Sequence, residues 1–199
     1  MKKIILASSS PRRKELLEKI GLKFEVEPGD CEEIVYTDLE THEMVRKLSR
    51  EKAEAVARKH RSSVVIAADT VVLIDDKILG KPKSPTEAKK MLRALSGKSH
   101  VVITGFTIID ASERRILSKA VETKVYIREL NPEEIDAYVE SGEPLDKAGA
   151  YGIQGLGAVI VEKIEGDYYN VVGLPLSSLA ESLKEFGVDV WENWLRECR

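Results

Sequence analysis

VVIAADTVVLIDD, residues 64–76, is a strongly apolar run broken in two places. Asp69 and Thr70 interrupt it in the middle, and DDK at its end is a turn signal. The run therefore predicts a buried strand folding back in a hairpin. Upstream, KKIILAS (2–8) reads as a first strand, PRRKELLEKIG (11–21) as a short helix carrying Leu16, Leu17 and Ile20 on one face, and KFEVE (23–27) as an alternating strand. PGDCEEIVYTD (28–38) reads as an acidic loop. THEMVRKLSREKAEAVARKH (41–60) reads as an amphipathic helix with Met44, Leu48, Ala55 and Val56 in its apolar stripe. Downstream come a capped helix (84–98), two long paired strands (101–110 and 116–130) and a second capped helix (131–143). A glycine-rich loop (144–157), a strand (158–166), a loop (167–175) and two helices complete the pattern. In the last helix, Trp191 and Leu195 are expected to pack inward. Alternating βα units together with a hairpin pair predict an α/β fold with a mixed sheet and flanking helices.

The 199 residues fit one domain, 1–199, large enough to bury roughly 70% of the surface of its unfolded chain. A net charge of −3 places a general nucleic-acid binder behind other classes, so any anion site must be a local concentration of Lys and Arg. Cys31 and Cys198 are too few for a disulfide framework, and His42, His60 and His100 lack zinc spacing. The apolar start IILA is too short for a signal peptide, and no run reaches transmembrane length. A reducing cytoplasm is expected, with no membrane and no nucleic-acid partner.

Four stretches carry chemistry. In SSSPRRKELL (8–17), Ser10 is placed to cap a helix and Pro11 suits its first turn, so Arg12 and Arg13 fall where the helix dipole is already positive. Free N–H groups at a helix start bind anions, and two arginines add bidentate donors for phosphate; the competing reading is solvated surface charge. In AADT (67–70), Asp69 is expected at a strand end, where a carboxylate serves as a metal ligand or general base, or simply caps a turn. ILGKPKSP (78–85) holds Lys81 and Lys83 in a Gly–Pro loop, and LSREKA (48–53) places Lys52 in a helix, where a solvated lysine is the commoner outcome. In PLDKAGAYGIQGLG (144–157), Gly149, Gly152, Gly155 and Gly157 let backbone approach a ligand, and the Gln154 amide has donors and an acceptor with which to read a base edge. Glu32 and Glu33 add carboxylates in the acidic loop. LSGKSH is not a Walker A motif, because Leu92 stands where the first glycine belongs, and GAYGIQGLG does not match GxGxxG. No Ser/His/Asp or Cys/His arrangement is evident, and His100 reads as structural.

In order along nearly the whole chain, SPRR, LSREKA, AADT, GKP, LSGKSH, ESGEPLDKAGAYGIQGLGA and GDYYNVVGLP resemble the Maf proteins, septum-formation-associated nucleotide pyrophosphatases. The resemblance implies an inosine-triphosphatase-like α/β fold with two lobes around a central cleft, often as a homodimer. It implies hydrolysis of nucleoside triphosphates to monophosphate and pyrophosphate with a divalent cation, Mg²⁺ or Mn²⁺. Arg12, Thr70 and Gln154 match the branch acting on dTTP and UTP, modified pyrimidine nucleotides being a further option. Asp69 matches the proton acceptor; Ser8, Arg12, Arg13, Lys52 and Lys81 match the phosphate cluster; Glu33 and Asp69 match the metal site. The alternative is a nucleotide-binding regulator of cell division without significant hydrolysis.

A glutamine can accept from the N3–H of thymine or uracil and donate to a flanking carbonyl. Cytosine reverses part of that pattern, leaving buried groups unpaired at about 1–3 kcal/mol each. The 5-methyl group is worth about as much, so dTTP and UTP should be poorly separated.

Overall fold

The computed structural model describes residues 2–29, 36 and 39–197. A sheet runs in the order β2-β1-β3-β5-β6-β7, with β4 paired to β3. The strands are β1 (Lys3–Leu6), β2 (Glu25–Val26), β3 (Ser63–Ile74), β4 (Lys77–Leu79), β5 (Ser99–Asp110), β6 (Arg115–Ile127) and β7 (Val161–Glu165). β1 is parallel to both β2 and β3, whereas β4 and β7 are antiparallel to their neighbours, so the sheet is mixed as expected. The helices are α1 (Pro11–Lys19), α2 (Thr41–Ala57), α3 (Pro85–Leu95), α4 (Pro132–Glu140), α5 (Tyr168–Val172), α6 (Leu176–Lys184) and α7 (Val190–Glu197).

The chain forms two compact units. The first comprises Met1–Asp69, Thr104–Val121 and Gly173–Arg199; the second comprises Thr70–Ile103 and Glu122–Val172. In the first unit, Ile5, Ala7, Val65, Ala67 and Ile109 from the strands pack with Ala53 and Val56 of α2. α2 lies unusually close to β5. A Cβ built on Gly105 would sit 2.3 Å from the Val45 carbonyl oxygen, so only glycine fits there. In the second unit, Ala88, Leu92 and Leu95 of α3 and Ile135, Tyr138 and Val139 of α4 share a core with Val72, Val102, Val125 and Ile160.

Local signals act as read. Asp75 and Asp76 adopt positive φ (47° and 58°) in the turn of the β3–β4 hairpin. Ser84 accepts from the Glu87 N–H at the start of α3, and Asn131 and Glu134 form a reciprocal capping box on α4. Four readings need correction. Ser10 makes no side-chain cap bond; its own N–H donates to Ser8 Oγ instead (3.2 Å). The buried alanine of α2 is Ala53, with Ala55 only half-buried. Residues 168–172, expected as loop, form the short α5. Trp191 and Leu195 do not pack inward: they are 71% and 59% exposed, because the apolar face of α7 is wider than what it packs against among the described residues.

Asp110 ends β5 in a buried hub, accepting from Lys2 Nζ (2.5 Å), Ser112 Oγ (2.6 Å) and the N–H groups of Ser112 and Glu113 (3.0 and 3.3 Å). Burial alone would raise its pKa, but these donors hold it down at about 2, below the ordinary 3.8. The folded value lies below the unfolded one, so the stabilisation is present above about pH 4 and is lost as pH falls towards 2. Asp110→Asn is expected to be less stable than the wild type at neutral pH and to close that gap at about pH 2. Urea midpoints at the two pH values check this; an equal gap at both would assign the effect to packing.

Candidate active site

Of the residues singled out in the sequence, Ser8, Arg12, Arg13, Lys52 and Asp69 belong to the first unit. Asp69, expected at a strand end, lies inside β3, past the end of the β1 pairing at Ile66 and before the β4 pairing at Val72. It and Thr70 are half-buried, interrupting the otherwise mostly buried strand. Lys52 reaches Asp69 Oδ1 in an ion pair, with the two side chains 20% and 16% exposed. The local expectation of a solvated lysine therefore fails. The signal that finds it is periodicity: Val45, Ser49, Lys52 and Val56 follow i, i+4, i+7, i+11 spacing, which puts Lys52 on the buried stripe of α2. Gly29 packs tightly beside it, since a Cβ there would come within 2.8 Å of the Lys52 carbonyl oxygen. Glu33, assigned to the metal by resemblance, lies outside the described residues, as do Glu32 and Cys31.

Arg13 points inward. Its Nε donates to the Gly173 carbonyl (2.9 Å) and its Nη1 to the buried Ser8 hydroxyl (3.2 Å). Burial lowers the pKa of its guanidinium, Asp69 raises it and Arg12 lowers it, but an arginine stays cationic throughout the working range. The first turn of α1 contains no acidic residue, and Arg12 is half-buried. The first unit thus gathers a carboxylate, an ammonium and a guanidinium near one another, an arrangement that suits a polyanion bound beside an oxygen donor.

The second unit carries Thr70, Lys81 and Gln154. The Gly149 N–H donates to the Gly80 carbonyl (3.0 Å), which ties the Lys81 loop to the glycine-rich loop. Gly149 has φ 71° and lies against Val72, with 3.0 Å available to a Cβ. Lys81 and Gln154 are both exposed. His100 is structural as expected: it is buried, bonded through Nε2 to the Tyr151 hydroxyl (2.7 Å), and burial pushes its pKa down to about 4. Sequence reasoning assigns no role to Glu143, whose carboxylate accepts from the N–H groups of Leu156 (2.9 Å) and Gly157 (3.0 Å) and from the Tyr138 hydroxyl (2.9 Å).

Among the described residues, no group of three His, Cys, Asp or Glu side chains gathers to hold a metal, and no helix is long and apolar enough to cross a membrane. Mg²⁺ is commonly held by one or two carboxylates together with substrate phosphates, and Asp69 offers that donor chemistry.

The fold is similar to that of a Ham1 protein. A solved Ham1 protein from Coxiella burnetii superposes with a TM-score of 0.52 at 17% identity, over 93% of this chain and 100% of its own. The family is closer still: residues 3–186 match the model of the Maf-like proteins, and the chain belongs to that family. The dTTP/UTP pyrophosphatase of Moorella thermoacetica is 50% identical over 191 residues, covering 96% of this chain and 98% of its own. That of Caldicellulosiruptor saccharolyticus is 48% identical over 199 residues, covering 98% of this chain and all of its own.

Proposed function

We propose that this protein is a nucleoside triphosphate pyrophosphatase that hydrolyses dTTP and UTP to the monophosphate and pyrophosphate. The observation that carries the reading is the half-buried Asp69 carboxylate, paired to Lys52 beside the inward-held Arg13. Its near-full-length relatives named dTTP/UTP pyrophosphatases support the substrate class.

Cleaving a phosphoanhydride requires positioning and charge neutralisation more than covalent chemistry. Arg12, Arg13, Lys52 and Lys81 neutralise the triphosphate, and the Ser8 hydroxyl, already accepting from Arg13, keeps its own proton to donate to a phosphate oxygen. Asp69 takes the proton from the attacking water or orients that water as an oxygen ligand. By resemblance, Asp69 and Glu33 would hold a divalent cation, Mg²⁺ or Mn²⁺, which would supply further charge neutralisation and lower the pKa of bound water. Lys52 keeps the Asp69 carboxylate aimed until substrate binds. Thr70 and Gln154 select the pyrimidine base, Gln154 by matching N3–H and a carbonyl.

The test is pyrophosphate release from a panel of nucleoside triphosphates with Mg²⁺ or Mn²⁺. Release from dTTP and UTP at similar rates, with CTP roughly tenfold or more behind, is expected, since one unpaired buried group costs about that factor. Nucleotide binding without release from any member would replace this reading with that of a regulatory binder. Release confined to purine or modified nucleotides would move the substrate class.

A further inference from the structure

The glycine-rich loop that carries Gln154 has no strand or long helix to hold it. Gln154 itself is exposed, and residues 155–159 form only a 3-10 turn. An amide that must discriminate hydrogen-bond patterns has to be held in place, because a mobile one adapts to either base.

The loop is tied at both ends by one pair of side chains. The Tyr138 hydroxyl, from α4, accepts from the Gly152 N–H (3.1 Å) at the loop's start and donates to Glu143 Oε1 (2.9 Å). Glu143 in turn accepts from the Gly157 N–H on Oε1 (3.0 Å) and from the Leu156 N–H on Oε2 (2.9 Å). Tyr138 is buried and Glu143 half-buried, so neither is replaced by water without loss. The closure is tight. A Cβ on Gly157 would fall 2.0 Å from the Gly152 carbonyl oxygen and 2.6 Å from the Tyr138 hydroxyl, and one on Gly155 would fall 2.5 Å from Glu143 Oε2. Lys147 holds the base of the arrangement, its Nζ donating to the Glu143 carbonyl (2.5 Å) and to Asp146 (2.7 Å).

We propose that Glu143 and Tyr138 are positioning residues for base selection, clamping the 152–157 loop so that the Gln154 amide meets the pyrimidine edge in one orientation. This rests on the reading of Gln154 as the base-selecting residue. Both oxygens of Glu143 are used as acceptors, which makes Glu143→Gln a clean isosteric test: its –NH₂ must face either the Leu156 N–H or the Gly157 N–H and the Tyr138 hydroxyl. Tyr138→Phe removes the hydroxyl at the other end of the clamp and guards against a poorly folding Glu143 variant.

The experiment compares kcat/KM for dTTP and CTP in the wild type, Glu143→Gln, Tyr138→Phe, Gln154→Ala and the Glu143→Gln/Gln154→Ala double variant, alongside amide hydrogen exchange. The dTTP-to-CTP ratio is expected to fall about tenfold in each single variant, chiefly through a higher KM for dTTP, as one lost orienting bond would give. The Leu156 and Gly157 amides should exchange faster in Glu143→Gln, and the double variant should fall no further than Gln154→Ala alone, since the residues act in series. If Gln154→Ala lowers the ratio while both clamp variants keep it, the positioning role is overturned and the base-reading role stands. If Gln154→Ala leaves the ratio intact, both are overturned. Additive losses in the double variant would show that Glu143 acts by a route other than Gln154, which also overturns the proposal.

Discussion

Asp69→Asn is expected to lower pyrophosphate release from dTTP by about 10²–10⁴-fold, the range lost when a positioned acid–base group is removed. Asparagine is isosteric and keeps an oxygen to accept from Lys52, so the packing of β3 around residue 69 should survive. What is lost is the negative charge, and with it the ability to take a proton or to ligate a divalent cation strongly. The measurement is release with Mg²⁺ or Mn²⁺, run beside a thermal unfolding curve. A variant that folds like the wild type and retains its rate would remove Asp69 from the chemistry and leave the cationic cluster as a binding site alone. If the residual rate recovers as metal is raised, Asp69 acts mainly as a ligand; if it does not recover, Asp69 acts mainly on the proton.

Gly105→Ala is expected to be strongly destabilising, although it adds a single methyl group away from the active site. The new Cβ would meet the Val45 carbonyl oxygen at 2.3 Å, its carbon at 2.4 Å and the Arg46 nitrogen at 2.8 Å, all backbone atoms of α2. Backbone atoms cannot rotate out of the way, so the helix must move. Overpacking ordinarily costs about 1–3 kcal/mol, and with no flexible side chain to absorb it the loss here should reach about 3 kcal/mol or more. For a chain of this size that corresponds to a melting temperature lower by roughly 6–12 °C. Gly80→Ala is the control: no atom beyond its own residue and its two chain neighbours lies within 4 Å of its Cβ, and its stability should stay within about 0.5 kcal/mol of the wild type. α2 also carries Lys52, seven residues, about two turns, beyond Val45. Folded Gly105→Ala protein should therefore also lose activity, by displacing the ammonium from Asp69. Unchanged stability would mean that α2 and β5 are less closely apposed than the structure places them.

Much of the site is legible in the residues themselves. Asp69 and Thr70 announce themselves because polar residues inside an apolar strand need a reason. Arg12 and Arg13 do so because they stand against a helix dipole. Lys52 is hidden: a lysine in a charged helix looks solvated unless its register with Val45, Ser49 and Val56 is counted. Trp191 and Leu195 mislead the other way, since a helical apolar face says what a helix could bury but not whether anything is there to cover it.

By itself the sequence determined the alternation of strands and helices, the turn at Asp75–Asp76, the caps at Ser84 and Asn131 and the residue types that suit a triphosphate. Each of these depends on interactions within a few positions of the chain or on side-chain chemistry itself. Tertiary structure alone decided that Lys52 meets Asp69, that Arg13 turns inward to Ser8 and Gly173, that Gly105 must be glycine, and that Glu143 holds the Gln154 loop. Those facts join residues from separate elements, and no local pattern encodes them: a glutamate three residues past a helix looks the same whether it faces water or holds two backbone N–H groups.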